Sequence, residues 1–262
     1  MFDFVTYGAD KLQFLLLIIL RTSGLFIIAP ILGYRTVPAS IKIAFALLMS
    51  LLLSSTLDAS VLPVIESEWH LLGLAMREII VGLLIGFFFQ LIFIAIHSAG
   101  ALVSYQIGFA MVAMFDPNSS QRVSIIGQFW FLFATLIFLA IDGHHIMIEA
   151  LVDSYTVLPI GQVVYGQSIA TVVVKASAYV FVLALKIAAP VLMTLFLTDV
   201  ALGTVAKMMP TMNVFFVGFP IKIGAGLVVL AMSLPIAAYV LEKGMNFVNK
   251  ELQQMYFAIG GV

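Results

Sequence analysis

The sequence predicts an all-α, membrane-associated protein built from several apolar, proline-broken helices. Three observations carry that prediction. Hydrophobic residues make up 63% of the 262 positions and charged residues only 10%, whereas a soluble domain carries about 25% charged residues. Long apolar runs lack the two-residue alternation of half-buried strands, which argues for helices. Three long apolar stretches hold no Asp, Glu, Lys or Arg: 37 positions over 79–115, and 19 each over 123–141 and 223–241. Nineteen helical residues rise about 28 Å, close to the roughly 30 Å hydrocarbon core of a bilayer. A chain with a mean hydropathy of +1.18 is a membrane protein or a subunit buried in an apolar assembly.

The elements follow in order. The opening MFDFVTYGADKLQF is acidic at first and has neither a basic region nor a small-residue cleavage site. No removable signal peptide is expected, and the first apolar segment should remain in the mature protein. Apolar segments cover about 12–34, 41–57, 71–96, 99–115, 123–141, 168–198 and 221–241. The charge-free run over 79–115 is too long for one span, so a bend is expected near His97-Ser98-Ala99-Gly100. Polar loops are expected at 58–70, 116–122, 142–167 and 199–213, none large enough for a soluble domain.

Charges interrupt several segments: Arg21 the first, Arg77 and Glu78 the third, Lys175 and Lys186 the sixth. A charge at the centre of a lipid-facing helix costs about 2.5–3.5 kcal/mol. Lys175 and Lys186 stand eleven residues apart, about three turns, and so share a helix face. Two readings fit these charges: they snorkel to an interface, or their helices face protein or an aqueous path. Nine prolines punctuate the chain, several inside apolar segments. Proline frees helix carbonyls, which is tolerable in lipid only where neighbours satisfy them. Gly82-Leu-Leu-Ile-Gly86 has the spacing that lets two helices approach closely.

Much chemistry is excluded. A net charge of −1 creates no field for nucleic acid, and the absence of cysteine removes disulfides, thiolate zinc sites, Fe–S clusters and cysteine nucleophiles. His144-His145, after Asp142-Gly143, is the one cluster resembling a metal site. Adjacent helical residues point about 100° apart, which chelates poorly, and a capped helix start is the better reading. No phosphate-binding glycine–lysine loop and no nucleophile elbow is present. The sequence therefore assigns no catalytic, cofactor-binding or metal-binding residue, and an enzyme is not expected.

Two segments carry a resemblance: Arg21 with APILGYRTVP at 29–38, and ALGTVAKMMPTMNVFFVGFPIKI at 201–223. Together with SAG at 98–100, GFAMVAMFDP at 108–117 and DGHH at 142–145, they are similar to the FliR family, which includes the SctT proteins of virulence-type secretion. The resemblance covers nearly the whole chain, and the wording MNVFFVGFP is closer to the flagellar branch. It implies a subunit of the flagellar type III export gate in the bacterial cytoplasmic (inner) membrane, at the flagellar basal body. The implied partners are FliP and FliQ, in a hetero-oligomer holding one copy of this chain, with FlhB outside it. Unfolded flagellar proteins would pass through the centre of the helical ring. No cofactor and no nucleic acid is implied. Residues 1–165 would be a FliP-like part with a central segment at about 106–122. Residues 166–262 would be a FliQ-like helical hairpin and C-terminal helix, broken around Ala201–Pro220.

Within that resemblance, GFAMVAMFDPNSSQ corresponds to the segment that projects into the channel and closes it. Phe109, Met111, Met114 and Phe115 would form the plug, flanked by Gly108, Asp116 and Pro117. Methionine adapts to irregular shapes, and a narrow apolar constriction holds back water and ions. Relatives carry Phe at more of these positions, so Met111 and Met114 would make a softer seal. By periodicity alone, the same residues read as an ordinary core helix. Arg21, Arg35, Lys175 and Lys186 are candidate subunit contacts, and Pro210, Gly218 and Pro220 a candidate hairpin bend. The rival readings are a multi-pass secondary transporter, an SctT-type virulence subunit, and a membrane scaffold without conduction.

Overall fold

The structure, a computed structural model, describes residues 2–34, 36–57, 63, 65, 67–108, 124–162, 168–211 and 213–260. Seven helices account for nearly all of them, and no strand occurs among the described residues. They are α1 (Phe2–Ile28), α2 (Ala39–Thr56), α3 (Glu68–Ile107), α4 (Ile125–Ala140), α5 (Gly143–Val157), α6 (Ser168–Met208) and α7 (Val214–Gly260). By length and composition α1, α2, α3, α6 and α7 can each cross a membrane, and α4 with α5 would make a sixth as one broken span.

Three expectations are corrected. The helix α3 runs unbroken through His97–Gly100. No proline interrupts it, and Gly100 is taken up by a close contact rather than a bend. The region 142–167 is not simply a loop, because α5 occupies Gly143–Val157. Glu149 and Asp153 gave it a polar look, but Met147, Ala150, Leu151, Ser154 and Tyr155 form a buried face at helical spacing. The interruption near the C-terminal hairpin is also shorter than 201–220, since α6 extends to Met208 and α7 begins at Val214.

The chain forms two compact units. The first contains residues 1–91, 142–176 and 246–262; the second contains 92–141 and 177–245. In the first, α1 packs on α3 around buried Leu17, Ile18, Leu25, Val81, Ile85 and Phe89. Their backbones come unusually close because glycines line the contact. A Cβ on Gly82 would collide with the Arg21 carbonyl oxygen and stand 3.0 Å from Leu25 N; one on Gly24 would stand 2.7 Å from Ile79 O. The Gly82–Gly86 spacing thus serves a contact within this chain. Helix α2 joins this unit through an edge-to-face pair, Phe26 on Phe45, at 5.5 Å.

In the second unit, Phe93 of α3 packs on Phe131 and Phe138 of α4 at 5.7 and 5.5 Å. Trp130, Ala134, Val103, Val191 and Leu195 fill the core around them. Helices α6 and α7 run antiparallel here, with Leu202 against Gly218, Asp199 against Lys222 and Leu195 near Gly226. Hydroxyls inside these helices turn back on their own backbone: Thr135 donates to Phe131 O, Thr194 to Pro190 O and Ser233 to Leu230 O. Such back-bonds satisfy a polar side chain without water.

The glycine contact makes a direct prediction. A Cβ on Gly73 would meet nothing within 4 Å, whereas Gly82 has no room for one. Gly73→Ala should leave stability equal or raise it by up to about 1 kcal/mol through helix propensity. Gly82→Ala should destabilise clearly, read as a drop in the thermal midpoint of the purified protein in its complex. Equal midpoints for the two variants would contradict the close packing of α1 on α3.

Candidate functional site

The proposed plug residues Phe109, Met111, Met114 and Phe115, with Asp116 and Pro117, lie outside the described residues, as does Arg35. Both flanks are described. Helix α3 ends at Ile107, and Gly108 follows with φ 101, a backbone conformation suited to glycine. Its N–H donates to Tyr105 O at 3.1 Å. A Cβ there would stand 3.1 Å from the Phe219 ring of α7. On the return side, Ser124 caps α4: its Oγ accepts from Gly127 N at 2.9 Å and donates to Gly100 O at 3.3 Å. Gly100 and Gly127 meet backbone to backbone, with Gly127 N 2.7 Å from where a Gly100 Cβ would lie. The eight residues from Gly100 to Ile107 span about 12 Å as helix. Helix α3 therefore continues about two turns beyond the level at which α4 begins.

A polar junction sits on those last two turns. Asp199 of α6 receives Lys222 Nζ of α7 at 2.8 Å on Oδ1 and Gln106 Nε2 of α3 at 3.1 Å on Oδ2. Asp199 thus takes its cation from Lys222 on the other arm of the hairpin. Sequence reasoning missed Gln106 and Lys222. A signal existed, because Asp199 and Lys222 stand eleven residues to either side of Pro210-Thr211, the placement that an antiparallel hairpin brings together.

A second junction lies in the first unit. Arg21 and Glu78 are both fully removed from solvent. Arg21 Nε donates to Glu78 Oε2 at 2.6 Å, Nη1 to Ser154 Oγ at 3.1 Å and Nη2 to Leu158 O at 3.0 Å. The guanidinium lies 4.2 Å from the centre of the Tyr155 ring. Glu78 Oε1 accepts from Gly161 N at 3.2 Å. Arg21, expected at a subunit contact, is therefore satisfied inside its own chain and has no surface to offer. The physical reason is that an unpaired buried charge is far costlier than one that is paired and hydrogen-bonded.

The remaining candidates are placed as follows. Lys175 pairs with Glu251 at 3.0 Å, its own side chain largely exposed and the carboxylate buried. Lys186 is exposed on α6. Pro210 stands in the turn between α6 and α7, while Gly218 and Pro220 lie inside α7. Donor atoms of Asp142, His144 and His145 come within 4.8 Å of one another. They sit at the start of α5, where helix amides present positive charge that opposes a cation. A cleft of about 180 Å³ between α5 and the end of α7 is lined by Glu149, Asp153, Asn249 and Gln253.

The chain matches the model of a family described as bacterial export proteins, family 1, over residues 12–248. The chain belongs to this family. Relatives that match most of the chain carry the name flagellar biosynthetic protein FliR. The one from Bacillus subtilis (strain 168) is 30% identical, covering 96% of this chain and 97% of its own length. Those from Escherichia coli (strain K12) and Aquifex aeolicus (strain VF5) are also 30% identical, covering 84% and 85% of each chain. Family membership spans both compact units, and so includes the flanks of the 109–123 segment and both polar junctions.

Removing one partner of a buried ion pair costs about 3–5 kcal/mol because the other charge is stranded. Glu78→Ala should therefore lower the thermal midpoint sharply. Arg21→Met with Glu78→Leu should cost less than Glu78→Ala alone, because no charge remains buried. A double variant worse than the single would show that the guanidinium's bonds to Ser154 and Leu158 outweigh its pairing with Glu78.

Proposed function

We propose that this chain is a structural subunit of the flagellar type III protein export gate, the channel that passes unfolded flagellar proteins across the bacterial cytoplasmic membrane at the flagellar basal body. In this reading it assembles with FliP- and FliQ-like subunits as one copy in a hetero-oligomer, with an FlhB-like protein outside. Residues 1–165 act as the FliP-like part and 166–262 as the FliQ-like hairpin. Phe109, Met111, Met114 and Phe115 close the channel, with Gly108, Asp116 and Pro117 at the ends of the plug.

The observation that carries the reading is the end-to-end likeness to a FliR protein, 96% of this chain against 97% of the relative. The surface supports it. Large apolar side chains stand exposed on α2, α4, α6 and α7, among them Leu51, Phe129, Phe181, Phe216 and Met232. Water does not favour such a surface; partner helices and lipid do. Many secondary transporters are built from internal repeats, and no repeat at a fixed period stands out in this sequence.

Two tests separate the readings. Expressed alone, the chain should aggregate or be degraded; expressed with FliP- and FliQ-like partners, it should enter one large complex in mild detergent. A monodisperse, solute-binding protein on its own would favour the transporter. The plug has a paired test, in which Phe109, Met111 and Phe115 are replaced together by Ala. Normal complex yield with raised ion or dye leakage supports closure by these side chains. Lost yield without leakage returns them to an ordinary core, where each such truncation costs roughly 2–5 kcal/mol.

A further inference from the structure

The last turn of α3 is held by two kinds of contact. Its apolar side meets α7: Ile107 is fully buried, a Cβ on Gly226 would fall 2.8 Å from Ile107 Cγ1, and Gly108 backs onto Phe219. Apolar contact is nearly non-directional, so it limits the separation of the helices more than their rotation. The polar contact is directional. Gln106 Nε2 donates to the same carboxylate oxygen, Asp199 Oδ2, that accepts from Lys222 Nζ, each at 3.1 Å. A hydrogen bond to a charged acceptor is stronger than a neutral one. Helical residues are spaced 100° apart, so a one-residue slip of α3 would swing Gln106 off the carboxylate.

We propose that Asp199 is a positioning residue. By holding Gln106 and Lys222 at once, it fixes the rotation of the last turn of α3 against the α6–α7 hairpin and sets the direction in which the chain leaves α3 at Gly108. The ion pair alone would close the hairpin; the amide adds the third helix. The charges suit the task, since one carboxylate and one ammonium balance and the neutral amide adds no third charge. That the placement matters for closure rests on the reading of 109–123 as the channel segment. The junction itself involves only residues 106–108, 199 and 219–226.

The test exchanges amide and carboxylate between helices. Gln106→Glu sets two carboxylates side by side. Asp199→Asn leaves Lys222 without its counter-charge. The double variant Q106E/D199N restores one carboxylate, one amide and one ammonium, with the carboxylate moved to α3. The chain has no cysteine, so a pair introduced as Ile107→Cys and Gly226→Cys reports the α3–α7 contact by disulfide yield in the assembled complex. Each single variant should lower that yield about tenfold or more, the population shift that a charge-assisted hydrogen bond supplies, and raise membrane leakage. The double variant should recover both, whereas a residue serving packing alone would not be rescued by a charge exchange. Where a single variant fails to assemble, Asp199→Glu keeps the charge on a longer arm and serves the same comparison. Disulfide yield unchanged in the single variants, or unrecovered in the double, overturns the proposal. Disulfide yield that falls and recovers while leakage stays flat upholds the junction and instead overturns the channel reading of 109–123.

Discussion

A guanidinium and a carboxylate shut away from solvent set the terms on which the first unit packs. Arg21 and Glu78 lie on α1 and α3, and neither retains any exposure. Charges in that position are tolerable only when hydrogen-bonded as well as paired. The bonds to Ser154, Leu158 O and Gly161 N meet this demand, and they bind the end of α5 and the turn after it to the α1–α3 pair. The glycines at 24, 82 and 86 are part of the same arrangement, because α1 must come close to α3 for the two charged groups to meet. Apolar side chains hold these helices together, and the ion pair adds a directional contact between them.

The second unit repeats that division of labour with different residues. Phe93, Phe131, Phe138 and Trp130 supply apolar mass. Gly100 on Gly127, the Ser124 cap and the Asp199 junction supply direction. These directional contacts lie at the two flanks of residues 109–123. A chain that leaves much of its apolar surface exposed still pairs its buried charges, Arg21 with Glu78 and Glu251 with Lys175, within its own helices. That combination suits a chain whose surface meets membrane or other helices more than water.

Much of this was legible in the sequence. Composition and charge-free runs gave an all-α membrane-compatible chain, and the motifs at 29–38 and 201–223 placed it in its family. The charged positions inside apolar segments were visible as anomalies. Their partners were not, because Arg21 and Glu78 stand 57 residues apart and nothing local joins them. The same holds for Gln106, a neutral residue in a charge-free run whose contact depends on a hairpin formed 93 residues later. Helix α5 was hidden because Glu149 and Asp153 lie on its outer face and masked the buried one. The bend expected at Gly100 failed for a related reason: glycine allows a bend, but here it allows close approach, and only the position of Gly127 distinguishes the two. The antiparallel hairpin was partly readable from Pro210-Thr211, although Gly218 and Pro220 turned out to be helical.

The central claim, that this chain is a part of the export gate, is tested most directly by where filament protein accumulates when the chain is absent. In a strain lacking only this gene, filament protein should be made and remain in the cytoplasm, with none in the medium and no external filaments. Restoring the gene should restore secretion. Filament protein appearing in the medium at the normal level without this chain would contradict the account, and loss of a virulence effector alone would move the chain to the injectisome branch.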